Sequence, residues 1–182
     1  ILSGKYGKTK LVTAKIISSI LFGVLAFTLH VIVAFGLPLA AFGADGWNLP
    51  LQVAGLTIPY PFTFLQATLI NLGVIYLVLL AMIGLTLLLS AKMKSSYLVL
   101  VILVPVLFIP LFLSPNGTTG AYNLALFLLP YRSVMPEIGK YVSYQIGGLV
   151  LDALSMRAIL YAILTAVMLP LARLGFKKHQ VA

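Results

Sequence analysis

The chain has 182 residues, of which 62% are hydrophobic and only 8% charged. A soluble domain carries roughly 25% charged residues to keep its surface wet, so this composition excludes an ordinary soluble fold. The formal charge of +9 would point to nucleic acid in a soluble protein. Here the basic residues stand in short clusters beside long apolar runs, which is a topology signal, and no nucleic-acid partner is expected. The sequence has no cysteine, which removes disulfides, thiol catalysis and thiolate metal sites.

In chain order, residues 1–15 are basic and lead directly into an apolar run over 16–42. As one helix that run would be about 40 Å long, more than the ~30 Å hydrocarbon core, so it is expected to tilt or to break near Gly36 and Pro38. Residues 43–62 hold three prolines, three glycines and the single tryptophan, and read as an interfacial loop. A second span is predicted over 63–90, ending in the basic turn SAKMKSS. A third follows over 97–113, with Pro105 and Pro110 inside or near its end. The turn cluster SPNGTTG opens an irregular segment, 114–156, expected to lie outside the cytoplasm with short helices on or dipping into the membrane. A fourth span is predicted over 157–174, before a basic tail.

The expected fold is therefore all-α: a polytopic transmembrane bundle of four spans, forming one domain over 1–182. Its companion elements are short interfacial or re-entrant helices in the last outer segment. Orientation follows from Lys and Arg. With both ends cytoplasmic, nine basic residues (Lys5, Lys8, Lys10, Lys15, Lys92, Lys94, Arg173, Lys177 and Lys178) fall inside. Three (Arg132, Lys140 and Arg157) fall outside, together with the acids Asp45, Glu137 and Asp152. The chain begins at Ile1 and reads as part of a longer polypeptide with upstream spans.

Catalytic patterns fail on inspection. Gly7-Lys8-Thr9 resembles the end of a P-loop, but Leu2 stands where that motif needs glycine. The two histidines, His30 and His179, lack the helical spacing and glutamate of a zinc protease, and no Ser-His-carboxylate set or GxSxG elbow occurs. No catalytic residue, metal or cofactor is expected. The polar residues within spans are His30, Gln66 and Asn71. An intramembrane histidine is a functional candidate, equally a histidine bonded to a neighbouring helix. Gln66 and Asn71 suit helix–helix hydrogen bonding better than substrate contact. Thr28, Thr68, Thr86 and Thr165 can bond their own helix backbone. The tyrosines 122, 131, 141 and 144 read as interfacial anchors, or as an aromatic mouth meeting an apolar substrate.

The opening stretch, Leu2-Ser3 followed by Lys5, Lys8 and Lys15, resembles the cytoplasmic approach to the third span of ABC-2-type permeases. The loop FGADGWNLPLQ, the turn LLSAKMKSS and the ending GFKKHQV are similar to bacterial permeases of the same kind. The resemblance implies a six-span subunit of which this chain supplies the last four. It further implies an exporter pathway shared with a second permease copy or homologue and driven by a separate ATP-binding cassette subunit. It would put the ATPase-coupling segment at or just before residues 1–10, with Lys5, Lys8 and Lys10 as candidates. The competing expectation is a non-transporting polytopic protein of the bilayer, such as an immunity, assembly or regulatory factor.

Overall fold

The computed structural model describes residues 7–135 and 138–179. Helix α1 spans Gly7–Phe42, 36 residues without interruption, or about 54 Å of rod. It starts nine residues before the predicted span at 16, so that residues 7–15 are the helix's own first turns. The expected break at Gly36 and Pro38 does not occur. Proline removes one N–H and frees the carbonyl one turn back, here that of Ala34, little more than two turns from the helix end at Phe42. The stop comes at Gly43, whose φ of 79° only glycine adopts cheaply and whose N–H donates to Leu39 O at 2.9 Å.

The loop that follows is folded. Leu51–Val53 forms a 3-10 turn, and Leu51 is buried. The backbone pairs Leu51 N with Phe62 O and Leu65 N with Trp47 O, each at 2.9 Å. The Gln52 side chain ties the loop by donating to Tyr60 O at 2.8 Å. Helix α2 then runs Phe64–Lys92 from a capping box in which Thr63 Oγ1 accepts from Gln66 N and Gln66 Oε1 accepts from Thr63 N. Ser95 caps α3, Ser96–Phe112. At 17 residues it is about 26 Å long, and it buries Val99, Leu103 and Pro110.

The described residues of the segment predicted to be irregular form regular elements. It holds two short helices, α4 (Ala121–Leu128) and α5 (Pro130–Val134), with Pro130 at the first helical position of α5. It also holds an antiparallel hairpin, β1 (Ser143–Ile146) with β2 (Leu149–Asp152), turned by Gly147 and Gly148 at φ 55° and 88°. The all-α expectation needs that amendment. Two glycines at positive φ match the twist of a two-residue hairpin, and this local pairing overrides the apolar character of the strands. Helix α6, Ala153–His179, begins four residues earlier than the predicted span and is capped by Asp152, whose Oδ2 accepts from Leu154 N at 3.1 Å.

Three of these helices, α1, α2 and α6, are long and apolar enough to cross a bilayer. Helices α2 and α6 run parallel and α1 antiparallel to both, as three stacked clusters record. At one end Val12, Leu87, Ala91, Ala172 and Phe176 meet. In the middle Val74, Val78 and Ala81 meet Tyr161. At the other end Phe127, Val142, Tyr144 and Ala153 close the bundle. Small residues set the α2–α6 distance: a Cβ built on Gly84 would stand 3.1 Å from Met168 Cβ, and one on Gly175 3.0 Å from Ala91 Cβ. Without water between helices to drive burial, close backbone approach supplies the packing. Helix α1 is the least covered, with none of its most apolar 18 residues buried.

Candidate functional site

The richest polar chemistry lies at the end of the bundle away from the basic clusters, where the 43–63 loop, the hairpin and the start of α6 converge. Arg157, one turn into α6, is 1% exposed and donates Nε–H to Phe127 O at 2.9 Å. One turn deeper, Tyr161 Oη donates to Leu128 O at 2.7 Å. Tyr144 on β1 donates to Leu124 O at 2.9 Å. Phe127 O and Leu128 O belong to the last turn of α4, where carbonyls lack intrahelical partners and carry the negative end of the helix dipole, while Leu124 O, one turn back, takes the Tyr144 hydroxyl as an additional donor. A cation and two hydroxyls therefore cap α4 from outside. Arg132 on α5 does the same for α3, donating Nη2–H to Leu113 O at 3.1 Å.

Beside this clamp stands Tyr60, buried in the loop. Burial first, then the charge of the Asp152 carboxylate, pushes its pKa up to about 12. The Tyr60 ring stacks on Phe62 with centroids 5.8 Å apart and tilts against Tyr141 at 6.2 Å. These rings and Asp152 form one lip of a cleft of about 640 Å³ between α2 and α6, floored by Ile70, Val74, Leu77 and Leu154.

The residues singled out from sequence are dispersed. Lys5 lies outside the described residues, as does the Lys8 side chain, while Lys10 is exposed in the first turns of α1. His30 is exposed on α1. Gln66 makes no helix–helix bond; it is used up in the α2 capping box, because its position three residues after Thr63 offers a nearer donor. Asn71 also fails to bridge helices: its Oδ1 is buried without a hydrogen-bond partner among the described residues, and the side chain lines an apolar cavity of about 280 Å³. The threonines do bond their own helices: Thr28 to Val24 O, Thr68 to Phe64 O, Thr86 to Met82 O and Thr165 to Tyr161 O. Thr28 additionally meets Tyr76 Oη at 2.7 Å, a polar α1–α2 contact the sequence reading missed.

Sequence reasoning also missed Tyr60, Asp152 and Arg157 as a group. Asp152 reads as a loop acid and Arg157 as a residue at the membrane surface; a cue lay in their spacing of five at a helix start, where the acid caps and the base turns inward. Among the described residues no three His, Asp or Glu side chains converge on a site for a metal ion.

This arrangement defines the class, a mostly helical protein with three helices long and apolar enough to cross a membrane, whose polar cap is tied to those helices by side chains. No family model matches the sequence, and neither the curated proteins nor the solved structures give a match.

Proposed function

We propose that the chain is the membrane-spanning permease part of an ATP-driven ABC exporter, crossing the bilayer four times with both ends cytoplasmic. In this reading α3 is the additional span: its 17 residues are at the lower limit for a bilayer crossing, and it leads from the Lys92 and Lys94 turn toward the outer cap. The chain supplies the pathway, and a separate ATP-binding cassette subunit supplies the energy.

The observation that carries the proposal is the continuity of α1. The basic amino-terminal turns and the apolar span are one 36-residue helix, so roughly 24 Å of it extends beyond a 30 Å hydrocarbon core. A rigid projection of this kind is a lever. Force applied around Lys10 by a cytoplasmic ATPase reaches the outer loop without an intervening hinge, which an alternating-access cycle requires. The ends of α2 and α6 share that face, bringing Lys92, Arg173 and Lys177 alongside. The uncovered face of α1, with His30 amid Leu25, Leu29 and Val33, suits a second permease copy, since an ionisable side chain within a span favours a protein neighbour over lipid.

The test is co-purification of the full-length protein with the candidate ABC ATPase. A stable complex is expected. A chain that never retains the ATPase, in detergent or in nanodiscs, contradicts the permease reading and leaves a non-transporting membrane factor.

A further inference from the structure

The cleft between α2 and α6 combines three features that no helix packing requires. Its lip is aromatic, with the Tyr60 ring in contact with those of Phe62 and Tyr141. Its single charged wall residue is Asp152, one of three acids in a chain of twelve bases. Its floor is apolar and open: a Cβ built on Gly73 meets nothing within 4 Å.

From these we infer that the cleft binds an amphiphilic quaternary ammonium, its head held by Asp152 and the aromatic lip and its apolar body lying along α2. The ring faces carry negative potential that attracts a cation, most strongly where water is thin. A trimethylammonium head also gives up less hydration than a primary amine and offers no N–H that the apolar floor would leave unsatisfied. Arg157 is not a wall residue of the cleft and gives its Nε–H to Phe127 O; its charge reaches Tyr60 from behind the lip, but less strongly than that of Asp152. Asp152 keeps one oxygen on the α6 cap and is only partly buried, so its charge reaches the cleft. From Ile70 to Leu77 the floor runs about 10 Å along the helix, enough for a short alkyl chain. The exposed flank at Ile70 and Gly73 gives such a ligand lateral access from the surrounding lipid. The inference concerns binding by this chain alone and stands whether or not an ATPase partner exists.

The test uses the full-length protein in a neutral maltoside detergent, titrated calorimetrically with hexyltrimethylammonium, with dihexanoylphosphatidylcholine and with hexyl sulfate, each corrected for protein-free micelles. Saturable binding of at least one of the two ammonium compounds is expected, and none of the sulfate. The first probe binding alone marks a free cation as the ligand, and the second alone a lipid headgroup. Asp152→Asn retains a capping side chain but loses the charge and should weaken binding about tenfold. Gly73→Leu fills the floor without touching the lip and should abolish binding while leaving thermal stability unchanged or raised. Equal affinity for ammonium and sulfate, equal affinity in wild type and Gly73→Leu, or no saturable ammonium binding in the wild type overturns the inference.

Discussion

Arg157 donates its Nε–H to the backbone carbonyl of Phe127, across 30 residues of sequence and at 2.9 Å, with 1% of its surface exposed. A cation so enclosed is tolerable because it meets the carbonyl end of α4, where the backbone presents negative partial charge. The bond fastens the α4–α5 pair to α6, and Arg157→Met should release it. The methionine fills the volume but leaves Phe127 O unsatisfied, at a cost of about 2 kcal/mol. Thermal unfolding in detergent should record this as a lower midpoint. Limited proteolysis should record new cleavage between 113 and 120. An unchanged midpoint with an unchanged digest would deny the clamp.

Tyr60 carries a pH signature. Its pKa rises from 10.0 to about 12 because burial, then the neighbouring Asp152 carboxylate, disfavours the phenolate. The folded state therefore holds this proton more tightly than the unfolded chain. The sign follows: the contribution to stability is complete below pH 10 and is lost as pH rises from 10 toward about 12. Absorbance titration should reveal a late-ionising tyrosine component, and Tyr60→Phe should lower its amplitude by one tyrosine and flatten the stability profile in the same window. A late component of undiminished amplitude in Tyr60→Phe would contradict the assignment to Tyr60.

Two glycines on α2 should behave in opposite ways. A Cβ at Gly84 would come within 3.1 Å of Met168 Cβ, whereas one at Gly73 meets nothing. Gly84→Val should force α2 and α6 apart and destabilise by about 1–3 kcal/mol. Gly73→Ala should stabilise slightly through helix propensity. Thermal melts of the two variants give the comparison; matching midpoints would refute the close α2–α6 packing.

The contact between Thr28 Oγ1 and Tyr76 Oη spans 2.7 Å between α1 and α2, beside an edge-on Phe27–Tyr76 ring pair with centroids 4.9 Å apart. Tyr76→Phe keeps the ring pair and removes the polar contact. The expected loss is small, about 0.6 kcal/mol, as for other interhelical bonds in membranes. A loss several times larger would mean that Tyr76 supports more than this contact.

How much of this was readable beforehand varies along the chain. The apolar lengths give α2 and α6 to within about five residues and the far end of α1, because hydrocarbon-length runs bounded by basic turns leave few alternatives; α1 starts nine residues before its predicted span. The hairpin was also within reach: SYQI and LVLD are separated by the pair Gly147-Gly148, a strong short-range turn signal. It was obscured because the flanking run is apolar enough to pass for a membrane-dipping helix. The site around Tyr60, Asp152 and Arg157 was not legible. Tyr60 and Arg157 are 97 residues apart, and they are joined through the folded loop, the hairpin and the cap of α6. Gln66 misled for a local reason, since a polar residue one turn inside an apolar run looks like a bridge until its cap partner at Thr63 is noticed.

The central claim, that this chain is driven by an ATPase through its basic end, has one direct measurement. The full-length protein is reconstituted in proteoliposomes with the candidate ATPase, and ATP hydrolysis is compared between wild type and the Lys5→Glu, Lys8→Glu, Lys10→Glu variant. The account predicts hydrolysis that rises when the wild-type protein is present and a variant that loses most of that rise while remaining folded. Identical hydrolysis with wild type, variant and no permease would contradict it.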